Sequence, residues 1–229
     1  MSKKINIITL GCSKNTVDSE HLAAQLAAMD YKVVFDSDRT DADVVVINTC
    51  GFIGDAKQES VETILRAAQL KEAGKIEELF VVGCLSQRYA DELRPELPEV
   101  DDFFGVNDWA GIVERLGAKW REENATKREL STPSHYAYLK ISEGCNWMCG
   151  YCAIPLIRGR HKSVPMERLI EEAEALVAGG VREIMVIAQD TTYYGVDIYG
   201  ERKLAELLER LCRIEKLEWV RLHYAYPTD

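Results

Sequence analysis

No apolar stretch in this 229-residue sequence comes near the roughly 20 residues needed to cross a bilayer; the longest, such as Leu79–Leu85, fall far short. The opening Met1-Ser2-Lys3-Lys4 runs directly into the strand-like Ile5–Leu10, too short and too interrupted for a signal-peptide core. There is no low-complexity tract and no close repeat. An excess of positive charge is also missing: 28 Lys+Arg stand against 38 Asp+Glu, a net charge of −10. That balance does not favour a diffuse phosphate-binding surface and suits a basic protein partner better. With 47% hydrophobic and 29% charged residues, the chain can bury a real core, which excludes disordered, collagen-like and mucin-like classes. It reads as a soluble, cytoplasmic protein of one large or two ordinary domains.

What the sequence has is cysteine, seven of them. Disulfides are rare in the cytosol, so clustered cysteines there point to metal or catalytic chemistry.

The first half alternates β-rich runs (Ile5–Leu10, Lys32–Phe35, Val44–Asn48, Leu79–Val82 and a weaker one near 102–104) with helical patterns. Val61, Ile64, Leu65 and Ala68 share one helical face, and Leu22, Leu26 and Met29 mark another. Continuous Val/Ile runs separated by helices imply a doubly wound α/β domain on a parallel sheet, covering residues 1–125. The charged stretch ending in Ser131-Thr132-Pro133-Ser134 reads as a linker over 126–136. A second α/β series then fills 137–229, with strands Ala137–Ile141, Glu183–Ala188 and Trp219–Leu222. One helix carries Leu169, Ala173, Leu176 and Val177 and stops at Gly179-Gly180; another carries Leu204, Leu207, Leu208 and Leu211.

Two cysteine triplets stand out. Cys145, Cys149 and Cys152 form a C-x3-C-x2-C loop after a strand, with Gly144 and Gly150 letting the backbone wrap. Three thiolates can hold three corners of a metal centre. A structural zinc site needs a fourth protein ligand, and His161 is the only nearby candidate. An iron–sulfur cluster tolerates an iron without one. Cys12, Cys50 and Cys84 are separated by 38 and 34 residues, yet each directly follows a predicted strand and neighbours a glycine. In a parallel sheet all carboxyl ends lie on one edge, where ligands bind, so the three can converge. Taken singly, each would read as a small buried hydrophobe. Cys212, beside the Leu208/Leu211 helical face, reads as packing.

The short-spaced loop, with aromatic Tyr151 before its third cysteine, resembles the signature of radical S-adenosylmethionine (SAM) enzymes. The resemblance implies a 4Fe–4S cluster on Cys145, Cys149 and Cys152 that chelates SAM, whose reductive cleavage yields a 5′-deoxyadenosyl radical. It also implies a partial (β/α) barrel. Gly179-Gly180…Glu183 imitates that family's Gly-Gly-Glu element but sits before a strand, as a helix stop. The functional position is the strand end at Gln189-Asp190.

The long-spaced triplet resembles the amino-terminal domain of the methylthiotransferases, which precedes the radical SAM domain and holds a second 4Fe–4S cluster. The match runs through Leu10–Asn15, Asp18-Ser19-Glu20, Asn48–Ile53 and Gly83–Arg88; family members usually carry proline where Ser13 stands. Cys152–Ser163, Ile187–Thr192 with Tyr194-Gly195, and Arg221–Pro227 resemble the RimO type, which modifies an aspartate on the twelfth small-subunit ribosomal protein. The alternatives are an adenosine-modifying transfer-RNA enzyme of the same family, or a non-catalytic iron–sulfur or zinc docking module. The resemblance implies methylthio insertion at the aspartate β-carbon. It requires two SAM molecules, two clusters and an electron donor, with a basic ribosomal protein as substrate, no membrane, and transfer RNA less favoured. Gln189, Asp190, Arg158 and Arg160 are candidates for positioning SAM or substrate. Family members also close the barrel and add a substrate-docking TRAM domain. The expectation is therefore an amino-terminal fragment whose third barrel strand is an open edge, an aggregation hazard.

Overall fold

The computed structural model describes residues 3–226, and the chain divides into two units after Ala125. Met1, Ser2 and Pro227, the last residue of the Arg221–Pro227 stretch, lie outside the described residues.

The first unit runs β1 (Lys4–Thr9), α1 (Ser13–Ala27), β2 (Lys32–Phe35), β3 (Val44–Thr49), α2 (Gly54–Glu72), β4 (Glu78–Gly83), α3 (Cys84–Glu96), β5 (Asp102–Phe103) and α4 (Trp109–Arg115). All pairings in its five-stranded sheet are parallel, in the order β2-β1-β3-β4-β5. Strand alternation explains the unbroken Val/Ile runs. Val45, Ile47, Leu79 and Val81 pack toward Ile64 and Ala68 of α2. Ile5, Ile7, Val44, Val46, Phe80 and Val82 pack toward Leu22 and Leu26 of α1 and Ile112 of α4. A strand buried on both faces must be apolar on both. The chain winds outward from β1 in one direction through α1 and β2, and in the other from β3 onward. The direction therefore reverses between β1 and β3, the switch point at which doubly wound sheets open a crevice for ligands.

Leu65 departs from the expected helical face: Ile64 and Ala68 are buried, whereas Leu65 is 45% exposed. The buried stripe of α2 runs through Ser60, Thr63, Ile64, Ala67 and Ala68, which leaves Leu65 outside it.

The second unit contains β6 (Tyr136–Lys140), β7 (Ser142–Glu143), α5 (Ile154–Arg158), β8 (Lys162–Ser163), α6 (Met166–Ala178), β9 (Glu183–Ile187), α7 (Val196–Tyr199), α8 (Leu204–Leu211) and β10 (Trp219–Leu222). Strands β6, β9 and β10 make a parallel sheet in the spatial order β10-β9-β6. Leu169, Ala173, Leu176 and Val177 of α6, with Leu207 and Leu211 of α8, cover one face of it. Two consecutive parallel βαβ units are the opening of a (β/α) barrel. Residues 126–136 are tied to this unit: Arg128 donates to the Tyr138 carbonyl and forms a buried ion pair with Glu172 at 2.6 Å. Gly179-Gly180 is a helix stop, with Val181 N–H bonded to the Leu176 carbonyl and Gly180 at φ 112°. Strand β10 stands at the sheet edge, with Trp219 62% exposed.

Two features were not anticipated. The antiparallel ribbon β7–β8 pairs Ser142 with Ser163 and Glu143 with Lys162; strands this short leave no periodic pattern. Cys212 is exposed at the C-cap of α8 and packs into no core, because the helix ends before its apolar face reaches it. Among the described residues no helix is long and apolar enough to cross a membrane.

Replacing Ile47 by Ala is expected to cost about 2–5 kcal/mol, whereas Leu65→Ala is expected to stay within about 0.5 kcal/mol. Urea unfolding of the two variants checks the assignment of faces.

Candidate iron–sulfur sites

Strands β1, β3 and β4 are consecutive neighbours in the sheet, and Cys12, Cys50 and Cys84 follow their ends. Thr49 of β3 pairs in register with Gly83 of β4, so Cys50 and Cys84 each come one residue after a matched pair. Adjacent strands lie about 4.8 Å apart. Cys12 is brought in by Gly11, whose φ of 94° turns the chain back against the next strand. A Cβ at Gly11 would lie 2.7 Å from Cys50 Cβ and 3.0 Å from its Sγ; only glycine permits that approach. Cys12 is the N-cap of α1, and Cys84 is the first residue of α3. Two helix amino termini thus converge on this edge, where their dipoles favour an anionic ligand. Cys84 is buried, and Cys12 and Cys50 are half-buried.

A buried polar frame holds the edge. Asn15 Nδ2 donates to the carbonyls of Leu10 (2.8 Å) and Thr49 (3.1 Å). Asn48 Nδ2 donates to the Asn15 carbonyl and to Ser19 Oγ, both at 3.0 Å. Ser60 Oγ accepts from Cys50 N–H and donates back to the Cys50 carbonyl, each at 3.0 Å. Sequence reasoning gave Ser60 no role; its only signal is a hydroxyl on the buried face of α2. Ser13, standing where family members carry proline, is the first residue of α1. Proline is well tolerated at that helical position, so the departure leaves the turn after Cys12 intact.

In the second unit the loop 145–152 leaves β7 and returns through α5 to β8. Its entry and exit are pinned together by charge. Arg158 Nη1 lies 3.0 and 2.9 Å from the two Glu143 oxygens, and Lys140 Nζ lies 2.8 Å from Oε2. Burial by itself would raise the Glu143 pKa; Lys140 and Arg158 outweigh it and hold the carboxyl at about 2. Gly144, at φ 70°, would place a Cβ 2.2 Å from the Arg160 carbonyl oxygen, so the two ends of the loop touch backbone to backbone. Cys145 N–H bonds the Gly159 carbonyl at 3.1 Å, and Cys152 N–H bonds the Cys149 carbonyl at 3.0 Å. Burial pushes the Cys145 thiol up, the Trp147 N–H opposes this, and the charges of Asp190, Cys152 and Cys149 add to the rise. The three thiols and Asp190 therefore share one neighbourhood.

Of the four positioning candidates, Asp190 reaches the loop: its Oδ2 accepts from Trp147 Nε1 at 2.6 Å, and its Oδ1 from Thr192 N–H at 2.9 Å. Gln189 is half-buried beside it at the end of β9. Arg158 is buried and spent on Glu143, which makes it a loop fastener, and Arg160 is exposed. Asn146, Trp147, His161, Asp190 and Tyr193 line a cavity of 220 Å³ next to the loop. Trp147 also stacks on Tyr226, ring centroids 4.7 Å apart.

Each triplet supplies three thiols, the donor set of an iron–sulfur cluster, although among the described residues no three His, Cys, Asp or Glu side chains converge tightly enough to hold one metal ion. A tetranuclear cluster spreads its thiolates over separate iron corners and leaves one iron free when three cysteines serve it.

Residues 4–105 match the family described as uncharacterized protein family UPF0004, and residues 139–227 match the radical SAM superfamily. The ribosomal protein uS12 methylthiotransferase RimO of Phocaeicola vulgatus is 57% identical over 224 residues, 98% of this chain and 52% of the relative. Over nearly its whole length the chain is thus similar to methylthiotransferases, and its second half to radical SAM enzymes. Proteins of the same name from Porphyromonas gingivalis and Cytophaga hutchinsonii are 54% and 52% identical, covering 99% and 98% of this chain and 52% of each relative. The chain thus spans about half the length of the curated relatives it matches. Among solved structures, the radical SAM methyltransferase TsrM from Kitasatospora setae, with cobalamin and a [4Fe-4S] cluster bound, aligns with a TM-score of 0.54 at 12% identity. That alignment covers 91% of this chain and 52% of that one, a likeness of fold alone.

Glu143→Gln removes the carboxylate that Arg158 and Lys140 share and is expected to destabilise the second unit by about 3–5 kcal/mol. Ser60→Ala, which strips the Cys50 backbone of its partner, is expected to cost about 1–3 kcal/mol. Thermal denaturation of both variants measures these losses.

Proposed function

We propose that this chain carries the two 4Fe–4S sites of a ribosomal protein uS12 methylthiotransferase: Cys12, Cys50 and Cys84 hold one cluster, and Cys145, Cys149 and Cys152 hold the SAM-binding one. The observation that carries the reading is the second triplet. A docking module or a generic radical enzyme needs only the loop, whereas here three further cysteines end three adjacent strands at the switch point of an independent sheet.

A cluster at the loop, with SAM bound, supplies radical chemistry able to remove hydrogen from an unactivated carbon, here the β-carbon of the target aspartate. The chain's own residues do the holding. Gly11 lets the turn before Cys12 pass against Cys50, Ser60 holds the Cys50 backbone, and Glu143 with Arg158 closes the loop. Asp190 fixes Trp147 through its indole N–H. The amino termini of α1 and α3 would stabilise the negative charge of a cluster held by Cys12, Cys50 and Cys84. The ribosomal-protein substrate is supported by relatives of that name at 52–57% identity and by a net charge of −10, complementary to a basic partner. An electron donor and a cytoplasmic location complete the reading.

After anaerobic reconstitution the chain is expected to hold about eight irons, and a Cys12/Cys50/Cys84→Ala variant about four. About four in both proteins would reduce the strand-end cysteines to packing and remove the second cluster from the account.

A further inference from the structure

The side chain of His161 is 1% exposed, and the hydrogen bonds around it settle its tautomer. Ser163 Oγ donates its single proton to Asp197 Oδ1 at 2.6 Å and accepts from Gly195 N–H at 2.9 Å. His161 Nε2 lies 3.0 Å from the same oxygen. With the hydroxyl proton committed to a carboxylate, Nε2 can only donate. Burial holds the His161 pKa below its ordinary value against the pull of Asp197 and Asp190, which favours the neutral ring. Nδ1 is then a bare acceptor, and it has no partner although it is buried. A buried polar atom left unpaired is costly, so this lone pair calls for a donor.

The place for one is the 220 Å³ cavity that His161 borders beside the cysteine loop. Whole small-molecule pockets run to roughly 300–1,000 Å³, so this one accepts part of a larger ligand. Its walls are the Trp147 indole, the Tyr193 ring, set edge-on to His161 with centroids 5.0 Å apart, and the Asp190 carboxylate. With Asn146 completing the lining, aromatic faces, the Asp190 and His161 acceptors, an amide and no cationic residue suit an uncharged, donor-bearing group.

The geometry points to His161 Nδ1 as the acceptor for a hydrogen-bond donor on the adenosyl group of SAM, either a ribose hydroxyl or the 6-amino group. The inference rests on the SAM-binding reading of the loop and adds a residue that lies outside its cysteine motif. His161 is a binding residue in this account, and Ser163, Asp197 and Gly195 position it.

Two substitutions separate ligand contact from structural support. His161→Gln keeps an N–H where Nε2 bonds Ser163 and removes the acceptor at Nδ1; His161→Asn does the reverse. The probe is S-adenosylhomocysteine, titrated anaerobically into the cluster-loaded protein. His161→Gln is expected to raise Kd about tenfold, with its melting temperature unchanged. Analogues lacking the 6-amino group or the 2′-hydroxyl identify the donor: the one that loses as much affinity in the wild type and nothing further in His161→Gln lacks it. Wild-type binding that His161→Gln leaves intact overturns the inference alone. No binding to the wild type overturns the reading of the loop and the inference together. If His161→Gln fails to fold, the wild-type 15N resonance of His161 Nδ1 decides: a shift on saturation supports the contact, and an unmoved resonance in the bound state refutes it.

Discussion

The register of three parallel strands governs the first half of the molecule. Because β1, β3 and β4 are hydrogen-bonded neighbours and Thr49 sits opposite Gly83, residues far apart in sequence end on one edge. A slip of one residue between β3 and β4 would exchange the faces of Val45 and Ile47 with those of Val44 and Val46. The two apolar layers over α1 and α2 oppose that slip through every buried side chain they contain. The positions of the cysteines are thus enforced by the apolar layers on either side of the sheet.

The loop of the second unit solves the same problem by other means. Its three cysteines lie within eight residues, so convergence is local, and what must be supplied is rigidity. Charge supplies it: Glu143 and Arg158 join the ends, and the Asp190–Trp147 hydrogen bond fastens the middle to the end of β9. Buried ion pairs add little net stability but make a misplaced partner expensive, which suits a loop that has to present three thiols in one arrangement.

How much of this was readable from the sequence followed the range of the interactions. The strands were legible as Val/Ile runs, and the strand-end position of each cysteine followed from them, because parallel topology aligns carboxyl ends. The ribbon β7–β8 was not, since two-residue strands show no period. Leu65 was misplaced because a helix lying flat on a sheet buries a narrower stripe than its apolar residues suggest. Cys212 was read as packing, yet its helix stops at Leu211. Arg158 was taken for a ligand-facing cation, whereas Glu143, fifteen residues away in sequence, occupies it. Ser60 and the free face of His161 depend on contacts between separate elements, which no local pattern encodes.

The most direct test of the central claim, that the strand-end cysteines assemble a cluster site, is the electron paramagnetic resonance spectrum of the reduced, reconstituted Cys145/Cys149/Cys152→Ala variant. The account predicts a residual reduced 4Fe–4S signal from the first unit that SAM leaves unchanged. A silent spectrum from a folded, iron-reconstituted variant would contradict it and leave the strand-end cysteines as neighbours without a cluster.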